Sequence, residues 1–264
     1  MMNRFFLLTL LCLGVSCTDT SKKISTAIET SKKESTAVKE EEKMIIEPTL
    51  DSTKLGINFT PKGNYNTIKQ SITADRAYFA KLLQQNKQKA IDSASNYIYH
   101  KLLNEIVPHW YGTPWDFNGH TDIPNEGEIA CGYFVSTTLK HTGFRLNRYK
   151  MAQQGGTNEA ITLQPRSKLK TYRNISQSQL KAKLNNVYTD GLYFVGLSNH
   201  VGYVLIKNKE IYFLHSSYYD DKVMIEKAAT SPCFQSDIYV FAEITTNRKL
   251  VQKWIQNTAI PVHQ

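Results

Sequence analysis

The chain has 264 residues, of which 41% are hydrophobic, and it carries a formal net charge of +9 at pH 7. That length allows one ordinary domain with additional segments, and the apolar fraction is sufficient for a buried core. The positive charge is compatible with an anionic partner such as a cell-wall polymer, a membrane surface or nucleic acid. The sequence contains no zinc-finger, helix-turn-helix or RNP pattern, so nucleic acid is not expected as a partner.

The N-terminal segment has the features of a bacterial lipoprotein signal peptide. Arg4 supplies a positive charge, and residues 5–15 form an apolar run that is too short for a comfortable transmembrane helix. The run ends in Gly14-Val15-Ser16-Cys17, where small residues precede a cysteine as in a lipobox. We expect residues 1–16 to be cleaved and Cys17 to be acylated, which would anchor the protein to a bacterial membrane, facing the periplasm or the exterior. Secretion without a lipid is the alternative.

Residues 17–50 have the composition of a flexible tether. The segment 20–29 (TSKKISTAIE) recurs at once as 30–39 (TSKKESTAVK), and neither copy contains an aromatic residue. Such a composition cannot bury enough apolar surface to fold by itself. We therefore assign one folded domain to residues 51–264, held away from the membrane by the tether.

The folded domain begins with a helical extension, at about residues 51–108. Apolar residues recur at helical spacing between Ser71 and Val107, which predicts two helices or one kinked helix. Ser71 or Thr73 can cap the start, and Pro108 is expected to stop the run. From residue 191 onward the apolar period is two, which is typical of strands. It predicts strands at 191–197, 200–206, 211–215 and 238–244, a weaker edge strand at 223–225, and a terminal helix at 250–256 with Trp254 buried.

Residues 140–183 are strongly basic, with Glu159 as their single acid. Gly and Pro residues divide this stretch into short pieces. It is either a solvated surface or a rim that attracts a carboxylate-rich substrate.

Cys131 lies where a turn-rich loop enters a short helix. Gly, Pro and Asn are frequent in residues 112–127, whereas residues 132–141 form an apolar-rich run closed by Gly143. Free backbone N–H groups and the positive end of the helix dipole favour a thiolate at such a junction. Cys131 is therefore a candidate nucleophile, and a small buried residue at a helix start is the alternative interpretation.

Two histidines are candidate partners of this cysteine. Asn208 and Lys209 can form the whole turn between the second and third predicted strands. In that register His215 lies opposite Gly202, on the same face as His200. The two imidazoles are then diagonal neighbours, whereas a loop one residue longer would put them on opposite faces. This register predicts His200 as general base and acid, oriented by His215.

Two alternatives use the same cysteine differently. Cys131, His200 and His215 with a water would make a catalytic zinc centre, although no paired-ligand spacing supports it. A disulfide between Cys131 and Cys233 would remove the nucleophile, and an exported protein that needed such bonds would carry more cysteine pairs. We expect a cysteine enzyme without a metal or another cofactor.

The order of these motifs resembles the NlpC/P60 branch of the papain-like cysteine peptidases. That family has a Gly-Thr-Pro-aromatic loop, a nucleophile helix, a His-Val-Gly strand and a following strand that ends in His. The corresponding segments here are Gly112-Thr113-Pro114-Trp115, Ala130-Cys131-Gly132, His200-Val201-Gly202 and Phe213-Leu214-His215. The resemblance implies an α+β, papain-like core with the nucleophile helix packed on an antiparallel sheet. It also implies hydrolysis of an amide bond in peptidoglycan stem peptides.

Three residues depart from the family pattern. Ala130 and Gly132 replace the Asp and Ser that usually flank the nucleophile, and Trp115 replaces a Tyr whose hydroxyl helps the active site. The indole N–H of Trp115 can still donate to an oxyanion, together with the Cys131 backbone N–H, or the ring can wall the pocket. Tyr111 is a second candidate for the missing hydroxyl.

The sequence therefore predicts a lipid-anchored cysteine amidase or endopeptidase of the cell envelope. Cys131, His200 and His215 are its predicted catalytic residues, and peptidoglycan stem peptides are its predicted substrate. Two alternatives stay open. One is a wall-binding lipoprotein of the same fold without catalysis, and the other is a cysteine hydrolase with a different peptide or acyl substrate.

Overall fold

The computed structural model of the chain describes residues 50–264. The predicted signal peptide, the predicted acylation site Cys17 and the tandem repeat lie outside these residues. Within them, eight α-helices and a six-stranded antiparallel sheet give an α+β fold, as predicted. None of the helices between residues 50 and 264 combines the length and the apolar character needed to cross a bilayer.

The sheet contains every strand that the sequence predicts, together with one that it misses. Its hydrogen-bonded order is β1–β6–β2–β3–β4–β5. The missed strand, β1, is a short edge strand within the basic stretch, and its mostly exposed side chains give no apolar alternation. The strands are β1 (Lys170–Arg173), β2 (Gly191–Gly196), β3 (Val201–Lys207), β4 (Glu210–Ser217), β5 (Lys222–Lys227) and β6 (Ile238–Glu243).

The helical extension comprises α1 (Ser52–Leu55), α2 (Tyr65–Gln85) and α3 (Lys87–His100). The predicted caps Ser71 and Thr73 are wrong, because α2 begins earlier. The side chain of Asn64 accepts hydrogen bonds from the backbone N–H groups of Asn66 and Thr67, which fixes the start of the helix.

Pro108 also does not stop the helical run. After α3 the chain continues as a π-helix (Lys101–Ile106) and a short 3₁₀-helix (Val107–His109). Pro108 lies in the first turn of the 3₁₀-helix, where its missing N–H costs no hydrogen bond.

The remaining helices form layers on the two faces of the sheet. Helix α4 lies on one face, where the Tyr203 hydroxyl donates to the Val135 carbonyl at 2.9 Å. Helix α7 covers the other face through Leu180 and Leu184. Trp254 is buried, as predicted. The bounds are α4 (Cys131–His141), α5 (Arg148–Ala152), α6 (Gly156–Leu163), α7 (Gln177–Val187) and α8 (Arg248–Ile255).

The hairpin between β3 and β4 has the register that the sequence predicts. Lys207 pairs with Glu210 across a two-residue turn. Asn208 and Lys209 have φ values of 51° and 65°, the conformation that a type I′ turn requires at both positions. The same register pairs Tyr203 with Leu214 and so continues to His215 beside Gly202.

Candidate active site

Two imidazoles meet on the α7 face of the sheet. His200 directly precedes β3 and His215 lies in β4, and their Nε2 and Nδ1 atoms are 2.9 Å apart. The predicted diagonal contact is thus confirmed. Gly202 makes room for it, because a Cβ at that position would lie 2.6 Å from the Phe213 ring and 3.0 Å from the His215 Cβ.

Glu226 extends the pair into a chain of three polar groups. Its Oε1 lies 3.0 Å from the Nε2 of His215. The Phe213 ring stacks on His215 with centroids 4.1 Å apart. Burial lowers the pKa of His215 to about 3, so the ring is neutral, and burial also raises the pKa of Glu226. We assign an ionised Glu226, which accepts the Nε2–H of His215.

This chain fixes the tautomer of His200. Since Nε2 of His215 carries the proton, its Nδ1 accepts from the Nε2–H of His200. The Nδ1 of His200 then holds a free lone pair. It is buried and has no hydrogen-bond partner in the part of the chain that the structure describes. That nitrogen is therefore available to take a proton.

The sequence interpretation missed Glu226. It limited the edge strand to residues 223–225, whereas β5 extends to Lys227 and pairs Glu226 with Phe213. Continuing the hairpin register by one strand would have placed an acid on the histidine face, diagonal to His215.

Cys131 is the first residue of α4. Ser216 Oγ donates to the Ile129 carbonyl at 2.7 Å, which ties the entry to α4 to the strand that carries His215. The backbone N–H of Val201, the residue after His200, approaches the Cys131 sulfur. No hydrogen bond joins this sulfur to either imidazole within residues 50–264.

The Cys131 thiol is protonated in the free protein. Burial raises its pKa to about 11, and the N–H groups of Val201 and Gly132 oppose this shift only in part. Burial also lowers the pKa of His200, and the neighbouring His215 adds to that shift. The expectation that the helix start favours a thiolate is therefore wrong, because desolvation outweighs the backbone N–H groups.

We expect alkylation of Cys131 by iodoacetamide to be slow at pH 7 and to accelerate about tenfold per pH unit up to pH 10, since only the thiolate reacts. Mass spectrometry of the Cys131 peptide measures the rate separately from that of Cys233. A rate that is already maximal below pH 7 would indicate a preformed ion pair instead.

Glu159, at the start of α6, packs directly behind the first turn of α4. A Cβ on Gly132 would lie 3.1 Å from its Oε1 and 2.8 Å from the Ala152 carbonyl, so a serine at this position has no room. Glu159 is 1% exposed, and its Oε2 has no hydrogen-bond partner among the described residues. Burial raises the pKa of this carboxyl well above its ordinary value. The sequence showed Glu159 only as an isolated acid in a basic stretch.

A buried acid with a raised pKa makes stability fall as pH rises. Protonated Glu159 contributes fully below the ordinary pKa of 4.5, and its contribution is lost as pH rises towards the folded-state pKa. Glu159→Gln should match the wild type at pH 4 and exceed it at pH 8, by about 1.4 kcal/mol per unit of pKa difference. Thermal unfolding at both pH values measures this, with the exposed Glu126→Gln as control. Parallel curves for Glu159→Gln and wild type would contradict the prediction.

The aromatic side chains near the site differ in position from the sequence interpretation. The Trp115 ring lies 6.2 Å from the Tyr218 ring, which stands edge-on over His200 at 5.1 Å. Trp115 thus fits the role of a pocket wall. Tyr111 instead packs against Phe59, and its buried hydroxyl has no partner between residues 50 and 264. Tyr218, which the sequence did not single out, brings a hydroxyl close to the site.

The cluster of possible metal ligands is not the one considered from the sequence. Ligand atoms of His200, His215 and Cys233 lie within 4.8 Å of one another, and Cys131 is not in this group. Both Cys131 and Cys233 are free, so the disulfide alternative is excluded in this structure.

Arg148 does not belong to the predicted basic rim. Its side chain is buried and donates to the backbone carbonyls of His120 and Thr121 and to the Thr137 hydroxyl. The residue therefore holds the loop before α4 in place.

Comparisons of the chain with models of known protein families, with curated proteins and with solved structures find no match.

Proposed function

We propose that the protein is a cysteine amidase or endopeptidase that hydrolyses an amide bond in peptidoglycan stem peptides. In this proposal the α+β fold is a papain-like NlpC/P60 core, and acylated Cys17 anchors the enzyme in the cell envelope. The observation that carries it is the chain from Glu226 through His215 to His200, which ends at a buried ring nitrogen without a hydrogen-bond partner among the described residues. The backbone N–H of the next residue, Val201, approaches the sulfur of Cys131 at a helix start.

The peptide group that joins His200 to Val201 links the free nitrogen to the sulfur. Nδ1 is the ring nitrogen nearer to the main chain of His200. The Cys131 sulfur lies by the N–H of Val201, which is the next peptide group. The proposal requires a side-chain movement on substrate binding that brings these two atoms into hydrogen-bond range, since catalytic hydrogen bonds often tighten only in the substrate complex.

Acylation begins from the neutral pair. The Cys131 thiol gives its proton to Nδ1 of His200 as the sulfur attacks the scissile carbonyl carbon. The imidazolium of His200 then returns that proton to the leaving amine, and the C–N bond breaks to give a thioester. A water then attacks the thioester carbon while His200 takes a proton from that water. His200 returns the proton to the Cys131 sulfur as the C–S bond breaks, so the carboxylic acid product leaves and the thiol of Cys131 is restored.

The start of α4 offers donors for the oxyanion. The N-cap residue, Ala130, makes no side-chain hydrogen bond to the helix, and the first α-helical bond runs from the N–H of Phe134. The N–H groups of Cys131 and Gly132 are thus not used by the helix, and in this proposal they stabilise the negative charge that develops on the attacked carbonyl oxygen. An Asp at position 130, as in the family, would compete for these donors.

Purified full-length protein incubated with defined muropeptides tests the proposal. We expect new fragments whose masses correspond to the addition of one water across an amide bond of the stem peptide. If the muropeptides stay intact but other peptides or acyl compounds are cleaved, the protein is a cysteine hydrolase and the proposed wall substrate is rejected. If none of these compounds is hydrolysed, the proposal that the protein is a hydrolase is rejected.

A second candidate function, binding of an anionic wall polymer without cleavage, rests on a cleft away from the imidazoles. The cleft has a volume of about 660 Å³ and is lined by Lys140, Arg145, Lys150 and the C-terminal residues 259–262. The three cationic side chains are exposed. Reversing the charges of Lys140 and Lys150 should abolish polymer binding and its salt dependence if this function is correct.

A further inference from the structure

We propose that His200, His215 and Cys233 form a binding site for Zn²⁺ or a similar divalent transition metal, and that the bound metal switches the enzyme off. The metal site stands on its own geometry, whereas the inhibition rests on the proposed function. Cys233 takes no part in the hydrolytic chemistry, so the site adds a role for a buried thiol that the mechanism leaves unused.

The three side chains come from separate, well-packed elements. His200 precedes β3, His215 lies in β4, and Cys233 lies in the 3₁₀-helix Pro232–Phe234. Their exposed fractions are 3%, 0% and 1%. Phe234 packs on Phe213 at 5.0 Å, and Phe213 stacks on His215, so the cysteine segment and the histidine strand are held together.

The donor set suits zinc. Two imidazole nitrogens and one thiolate are ligands that Zn²⁺ prefers, and three protein ligands leave a fourth position for water. The ligand atoms already lie within 4.8 Å of one another. A metal bound at about 2.0–2.1 Å from nitrogen and about 2.3 Å from sulfur requires only small side-chain movements from this arrangement.

The metal would occupy the position of the proton that the imidazoles share. The two nitrogens are 2.9 Å apart, and tetrahedral coordination needs about 3.3 Å between them. His200 would bind through Nε2 as a neutral imidazole, so its proton moves from Nε2 to Nδ1, and only the thiol proton of Cys233 is released to solvent. Nδ1 of His200 then carries a hydrogen and has no lone pair with which to accept the proton of Cys131. Proton transfer from Cys131 is therefore blocked.

Direct metal binding is measured with Co²⁺ and Zn²⁺ on the full-length protein under reducing conditions. We expect a sulfur-to-Co²⁺ absorption band that Zn²⁺ displaces. Cys131→Ala should keep this band, and Cys233→Ser should lose it with at least about a hundredfold loss of Zn²⁺ affinity. A band that depends on Cys131, or no band in the wild type, overturns the site.

Inhibition is measured on the same proteins by muropeptide hydrolysis. We expect Zn²⁺ to inhibit the wild type and a chelator to restore it. Cys233→Ser should hydrolyse within about twofold of wild type but need at least about a hundredfold more Zn²⁺ for inhibition. Equal inhibition of both proteins overturns the switch. A Co²⁺ band without hydrolysis in any protein would reject the proposed function and leave the metal site supported.

Discussion

Replacing Cys131 by alanine is expected to abolish muropeptide hydrolysis while the protein stays folded. In the proposed mechanism the sulfur forms the thioester, and no other side chain at the start of α4 can replace it. We expect a loss of about 10⁴-fold or more in kcat/KM, which places the variant below detection. The unfolding temperature should stay within about 5 °C of wild type, since only one sulfur atom is removed from a half-buried position.

His200→Ala should also lower kcat/KM, by about 10²- to 10⁴-fold, because it removes the proposed base that takes the thiol proton. His215→Ala should cost less, about tenfold to a hundredfold, because this residue orients His200 through one hydrogen bond. Cys233→Ser is the matched control for the loss of a thiol, and it should retain hydrolysis. Turnover in Cys131→Ala at the wild-type rate would reject the proposed mechanism.

The sheet and the histidine contact could be predicted because each depends on local signals. The alternation of apolar and polar residues predicts the strands, and the two-residue Asn-Lys turn fixes the register of β3 against β4. Once the register is fixed, the pleat alone decides that His200 and His215 share a face.

The environment of the nucleophile could not be predicted in the same way, because it depends on contacts distant in sequence. Helix α6 brings Glu159 against Gly132, and the loop before α4 is held by Ser216 in β4. Neither contact follows from a local pattern. Burial at this packed position raises the pKa of Cys131. The helix start alone therefore gave the wrong protonation state for Cys131.

Cys233 was likewise visible in the sequence only as a possible disulfide partner. Its proximity to the imidazoles depends on the packing of Phe234 on Phe213, across the segment between β5 and β6. A contact of this kind is set by the tertiary core and leaves no spacing signature.

Glu226 should act as a positioning residue for His200, through His215. Removing its carboxylate in Glu226→Ala leaves the Nε2–H of His215 without its acceptor and allows the His215 ring to adopt the other tautomer. That tautomer donates from Nδ1 and turns the shared hydrogen bond around, so that His200 carries its proton on Nδ1 and can no longer take one from Cys131. We expect kcat to fall about tenfold to a hundredfold with little change in KM.

Glu226→Gln provides the matched control. Its amide oxygen can still accept from His215, and its NH₂ group can donate to the nearby Ser231 hydroxyl, so the tautomer should be retained and activity largely rescued. Imidazole ¹⁵N chemical shifts measure the tautomer directly. Nδ1 of His200 should give an unprotonated-nitrogen shift in wild type and Glu226→Gln, and a protonated or averaged shift in Glu226→Ala. If Glu226→Ala loses activity while the His200 tautomer is unchanged, Glu226 only supports packing. The positioning of His200 would then depend on His215 alone.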